Sequence, residues 1–269
     1  MGRHVTNMGV FARRRGVDMW RKRGGLGMKI AVFAGVLFSA ESAWAQAPGA
    51  GGSPLTMVVA LGLLALLPFL LIMVTSFVKV AVVLSLLRTA IGAQSVPPNQ
   101  VITGLAIVLS IYIMAPVGMQ IYEEVAPTVE AFEESNIRPG FDEYRDLARR
   151  TADPLRAFLV KHAHAVEKEL LFDLALELRP PEQRKDVERD DLIILIPAFV
   201  VSELKEAFTI GFILFVPFIV VDMVIANILL SLGMHMLSPT TISLPFKLLL
   251  FVLVDGWFLV VKGLVLGYV

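Results

Sequence analysis

Residues 192–221 read LIILIPAFVVSELKEAFTIGFILFVPFIVV, an apolar run with Glu203, Lys205 and Glu206 at its middle. Such a run is the material of a membrane helix. A charge in hydrocarbon costs at least about 2.5 kcal/mol even on the lenient insertion scale. Asp222, Lys247 and Asp255 repeat the problem farther along 192–269. Charges so placed must pair or face a protein interior. The region is therefore expected to bury itself against other chains, or to line a water-accessible path.

The rest of the chain fits the membrane class. Of its 269 residues, 56% are apolar. There is no cysteine, which excludes disulfides, thiolate metal sites and cysteine nucleophiles. The formal charge is zero, but residues 1–29 hold eight Lys/Arg and one acid, whereas residues 46–269 hold 16 basic and 22 acidic residues. Lys29, the short apolar run Ile30–Ala40 and the exit Ala43-Trp44-Ala45 describe a secretory signal peptide. Residues 1–45 are thus expected to be removed between Ala45 and Gln46, with Met28 as an alternative start; an uncleaved anchor is the other reading.

Residues 46–54 form a flexible lead-in. Residues 55–122 read as a first hydrophobic hairpin. Uncharged Leu55–Val78 is long enough to span, kinked at Pro68. Pro97 and Pro98 turn the chain into the next helix, because proline suits a first helical turn and restricts the residue before it. Residues 123–191 hold 18 acidic and 11 basic residues, an acidic insert with amphipathic helical stretches such as Pro154–Glu177. It is too small and charged for a large core of its own. Residues 192–269 form a second hydrophobic region, in which Pro197 and Pro217 predict broken helices and Ser238-Pro239 a turn. Lys79 and Arg88, read as charges of the first turn, place that turn in the cytoplasm and the insert in the periplasm.

Glu203 and Glu206 are three apart and share a helical face, whereas Lys205 lies about 200° from Glu203. Two carboxylates in apolar surroundings need a cation, and Lys247, Lys79, Lys262 and Arg88 are the candidates. The cluster reads either as a proton relay or gating switch, or as a structural ion pair between helices or subunits. Asp222 and Asp255 invite an intramembrane aspartyl protease reading, but Phe251–Val254 lacks the glycine pattern expected before Asp255. Met234, His235 and Met236 follow Gly233 at a turn, where thioethers can form a deformable seal or simply pack. His162 and His164, two apart, read as solvated residues rather than metal ligands. No phosphate loop, no Ser/His/Asp arrangement and no nucleotide motif is present, so no cofactor and no nucleic-acid partner is expected.

Four stretches together resemble one family: Leu86-Leu87-Arg88 with Ile91-Gly92 and Pro97-Pro98-Asn99-Gln100; Ile113-Met114-Ala115-Pro116; Leu195–Phe218; and Ser238–Trp257. They are similar to the inner-membrane export-gate protein of type III secretion, known as FliP in flagella and SctR in injectisomes, over about residues 55–269. The resemblance implies an all-helical subunit that assembles as a pentamer with two smaller export-gate membrane subunits. It also implies work beside a larger export-gate protein and the cytoplasmic secretion ATPase complex, with unfolded proteins as substrates. A methionine-rich loop seals the family's pore, which assigns the seal to Met234, His235 and Met236; His235 departs from the family's continuous methionine run. Packing between subunits would let Glu203 or Glu206 meet Lys247 of a neighbour. Thr75–Lys79 and Ile242–Pro245 look closer to the injectisome branch, and the signal peptide to the flagellar one; the balance tilts to the injectisome.

The expected fold is an all-α membrane protein of kinked helical hairpins with an acidic helical extracytoplasmic insert, assembling into a helical channel in the inner membrane. The expected function is non-enzymatic passage of unfolded protein. The rivals are a proton-coupled secondary transporter using Glu203, Glu206, Asp222 and Asp255, and the aspartyl protease.

Overall fold

The computed structural model describes residues 54–92, 97–135 and 140–269. The signal peptide, its cleavage at Ala45–Gln46 and the lead-in before Pro54 lie outside the described residues. The chain divides into two compact units, 1–63 and 64–269; the packing discussed below belongs to the second.

Eight α-helices follow in order, all described regular structure being helical: α1 Pro54–Met73, α2 Phe77–Ile91, α3 Asn99–Ser135, α4 Phe141–His162, α5 Ala165–Leu178, α6 Leu192–Ser231, α7 Pro239–Leu253 and α8 Gly256–Leu266. A 3-10 turn, Pro181–Asp186, precedes α6.

The expected span Leu55–Val78 is two helices. Its break falls at residues 74–76, and Pro68 stays inside α1. Hydroxyls explain the position. Thr75 Oγ1 donates to the Ile72 carbonyl at 3.1 Å and accepts from the Phe77 N–H at 3.4 Å, while Ser76 Oγ donates to Ser110 Oγ on α3 at 3.1 Å. Such local bonds compete with the helical ladder. As a result Lys79 and Arg88 lie on α2, not in a turn, which removes the support they gave to an orientation. α2 ends at Gly92, whose φ of 82° suits a residue without Cβ, and Arg88 donates to the Pro97 carbonyl and to Asn99, tying the Pro97-Pro98 turn to α2.

α3 runs unbroken through the boundary expected at residue 122, with Pro116 and Pro127 inside it. The expected amphipathic stretch Pro154–Glu177 is also two helices, broken at Ala163-His164 because the His164 N–H donates to Ser202 Oγ at 2.9 Å instead of continuing the ladder. By contrast, α6 continues through Pro197 and Pro217, where breaks were expected. Each proline removes one ladder bond at a cost of about 3 kcal/mol. Ile194, Leu195, Ala198 and Phe199 around Pro197, and Phe218 beside Pro217, are buried against neighbours that hold the helix together.

One core gathers around α2: Val80, Val83, Leu84 and Leu87 pack with Ile102 and Ala106 of α3, Ala207 of α6, Phe251 of α7 and Leu264 of α8. A second core joins Phe158, Leu159 and Ala163 of the insert to Leu195, Ala198 and Phe199 of α6 and to Tyr268. The insert therefore borrows its core from the start of α6. α3 and α6 are each long and apolar enough to cross a membrane, and α7 with α8, bent by 61°, makes a third candidate. The bend sits at Asp255, which takes the left-handed conformation (φ 51°), and at Gly256, where a Cβ would collide with the Phe251 ring. At about 1.5 Å per residue, α6 with its 40 residues is about 60 Å long, twice what a bilayer core requires.

Candidate functional site

Where the insert ends its cover of α6, the charges of the opening stretch meet their partners. Lys79, in the first turn of α2, is 1% exposed and Glu203 is 0% exposed. Lys79 Nζ lies 2.6 Å from Glu206 Oε2 and 3.1 Å from Glu203 Oε1. The second contact is ionic only, since Glu203 Oε1 accepts no hydrogen bond. The Lys79 ammonium also stands 4.0 Å from the centre of the Tyr268 ring. The Tyr268 hydroxyl donates to Glu203 Oε2, and burial, with Glu203 beside it, pushes that hydroxyl far above its ordinary pKa. It therefore stays a donor at every physiological pH.

The insert closes the other side. His164 Nε2 is 2.7 Å from Glu206 Oε1. Glu167, on the first turn of α5, receives Lys205 Nζ at 2.9 Å. Lys205 thus serves a different face from Glu203, as its angular position requires. His162 packs between Phe158 (centroids 4.6 Å apart) and Tyr268 (5.0 Å). Reading both histidines as solvated was wrong. The break at Ala163 turns one ring into the second core and the other onto Glu206, and two-residue spacing carries no signal for such a break.

His162 gives this joint an acid sensitivity. Burial, then Lys161 and Lys79, lowers its pKa from 6.5 to about 4. The folded pKa is depressed, so the unfolded chain takes the proton first as pH falls. Stability is present above about 6.5 and is lost progressively toward about 4. His162→Phe should flatten the fall in the unfolding midpoint of the purified protein between about pH 7 and pH 5, while the parent loses stability over that window.

A second pair ties the hairpin of α6 and α7. Lys247 Nζ is 2.7 Å from Asp222 Oδ2 and donates to the Ala90 carbonyl at 3.4 Å, while Ser243 donates to Asp222. The cation thus satisfies a terminal carbonyl of α2, where the helix dipole favours positive charge. Within one chain Glu203 and Glu206 hold Lys79, and Lys247 holds Asp222. Lys262 lies over the Phe258 ring, 5.6 Å from its centre. The four carboxylates of the transporter reading do not form one site. Glu203 and Glu206 share Lys79, Asp222 sits on Lys247 and Ser243, and Asp255 is exposed at the 61° bend. The same separation leaves Asp222 and Asp255 without the direct contact that a shared proton needs.

The turn from α6 to α7 is well defined. The Gly233 N–H bonds the Leu230 carbonyl at 3.0 Å and the Met234 N–H bonds that of Leu229 at 2.9 Å, with Gly233 at φ 74°. This is a Schellman end, and it ejects the following residues. Met234 is half exposed and Met236 is 98% exposed. Pro239 opens α7 as its first residue.

The FliP family model matches residues 60–264. The chain is 50% identical over 215 residues to the Yop proteins translocation protein R of Yersinia pestis, covering 80% of this chain and 96% of that one. It is 44% identical over 213 residues to the hypersensitivity response secretion protein HrcR of Ralstonia nicotianae, with coverage of 79% and 96%. It is 42% identical over 243 residues to the flagellar biosynthetic protein FliP of Pectobacterium carotovorum, with coverage of 86% and 89%.

Proposed function

The chain belongs to the FliP family, and from that premise we propose that it is a core subunit of a type III protein export gate, a non-enzymatic channel wall for unfolded protein. The observation that carries this reading is the α6–α7 tip, where Met234 and Met236 project from a capped turn into open space. Unbranched thioethers there can close around one another in a ring of copies and yield to a passing chain. His235 stands between the two thioethers in the same turn. The exposed apolar surface supports assembly. Phe208, Phe212, Ile219, Met223, Val252 and Leu253 are all exposed on α6 and α7, an apolar surface available to lipid and to neighbouring copies.

In this reading several copies, five by the family resemblance, join two smaller membrane subunits. The larger export-gate protein and the secretion ATPase complex stand on the cytoplasmic side. The inner membrane holds the apolar helices and the periplasm receives the insert. Thr75–Lys79 and Ile242–Pro245 tilt this reading to the injectisome branch, while relatives named for both systems share 42–50% identity with the chain.

The test is the native mass of the particle extracted in mild detergent after co-expression with the neighbouring membrane genes, followed by ion leakage through reconstituted Met234→Ala/Met236→Ala particles. A discrete multi-subunit particle of unchanged mass and a leak raised about tenfold or more is the expected result. A monomer that retains no partner overturns the reading and returns the transporter, and an assembled particle that stays tight overturns the seal.

A further inference from the structure

His164 stands at the break between α4 and α5, and its ring faces a carboxylate on each side. Nε2 is 2.7 Å from Glu206 Oε1 on α6, and Nδ1 is 3.6 Å from Glu167 Oε2 on its own helix. A neutral imidazole has one N–H and can serve only one of them. Glu167 Oε2 is buried and accepts no hydrogen bond. The partner oxygen of the same group accepts from Lys205, and that bond holds the Glu167 carboxyl below the usual carboxylate range. The orphaned atom is therefore a carboxylate oxygen facing the imidazole without a donor. Charge leads to the same point: three carboxylates, Glu167, Glu203 and Glu206, face two ammonium groups, Lys79 and Lys205.

We propose that His164 is a positioning residue whose protonation clasps the acidic insert onto α6, the imidazolium bridging Glu206 and Glu167. A proton added there supplies the missing donor and the missing positive charge in one step. It also keeps Glu206 aligned on Lys79. The remaining charges nearby are engaged elsewhere: Lys168 donates to the Val160 carbonyl and Lys161 to that of Val269. His162 acts in the opposite sense, since its burial opposes protonation. The bridge needs both ring nitrogens to donate, so the contact to Glu167 exists only for the imidazolium and is lost in the neutral ring. The clasp is independent of whether the Met234–Met236 tip seals a pore.

The absence of cysteine makes a single thiol readable. Ala163→Cys, at a position 5% exposed beneath the clasp, is placed in the full chain within the co-expressed complex, with and without His164→Gln. Maleimide labelling is compared between the two backgrounds at the same pH, so that thiol ionisation and the His162 contribution cancel. The labelling ratio, His164→Gln over parent, should be severalfold higher at about pH 5.5 than at about pH 8, where the neutral ring serves only one carboxylate. An equal ratio at both values overturns the proposal and leaves His164 a merely structural contact. Should Ala163→Cys prevent assembly, the unfolding midpoints of the cysteine-free complexes decide. A gap between parent and His164→Gln that widens on acidification supports the clasp, and a constant gap overturns it.

Discussion

Lys79→Met should abolish the assembled, stable protein. Removing one partner of a fully buried ion pair costs about 3–5 kcal/mol, because the opposite charge is stranded in low dielectric. Here one ammonium serves two carboxylates, Glu203 and Glu206, and also lies against Tyr268, so the substitution strands more than one group. Total domain stability is commonly about 5–15 kcal/mol. Membrane-extracted yield after mild detergent should fall at least tenfold. The triple change Lys79→Met/Glu203→Gln/Glu206→Gln should recover much of it, since neutral groups tolerate burial better than unpaired charges. A Lys79→Met chain that extracts in full yield would show that the pair contributes little. Failure of the triple variant to improve on the single one would shift the role of Lys79 from charge balance to packing.

The second large effect falls where α2 crosses α6. Gly211 is buried there, and a Cβ built on it would sit 3.2 Å from Leu86 Cβ and nearer still to Leu86 Cδ1. The Cδ1 atom could swing away, but Leu86 Cβ moves only with the α2 backbone. Gly211→Ala gains about 1 kcal/mol of helix propensity and loses about 1–3 kcal/mol to overpacking, for a modest net loss. Gly211→Leu has no such compensation and should reduce the yield of assembled complex by tenfold or more. Leu86→Ala in the same chain should restore a substantial part. The double-variant comparison checks the mechanism, because two independent defects would add instead of cancelling.

These sites show what the sequence makes legible. The three-residue spacing of Glu203 and Glu206 places both on one face before any coordinates are known, and the apolar stretch around them demands a cation. Which cation answers is a matter of tertiary packing: Lys79 lies on another helix, and Lys247 and Arg88 were equally available by composition. Prolines misled in both directions. Pro217 sits inside a continuous helix, with Phe218 beside it buried against neighbours, and Pro68 also stays inside its helix, whereas the first break arises at Thr75-Ser76, whose hydroxyl bonds reach α3 and depend on the fold. His164 illustrates the deepest gap. Nothing local announces that the helix stops at Ala163, since the backbone donor it needs to lose is taken by Ser202 of α6. The turn at Ser238-Pro239 follows from local chemistry, and the helical character of the apolar stretches from their length.

The length of α6 has a mechanical meaning. The Lys79 clamp holds it near Glu203–Glu206, with about eleven residues on one side and about twenty-five on the other before Ser231. Those arms measure about 17 Å and about 38 Å at the standard helical rise. The rod is a lever with unequal arms, its fulcrum a salt bridge and its short end gripped by the insert. A displacement of about 1 Å at Leu195, about 12 Å from Glu203, becomes about 3 Å at the Ser231 end of α6, in the opposite direction, if the helix stays straight. Whatever presses on the insert at Leu195 is therefore felt at the far end of α6 with about three times the travel and about a third of the force.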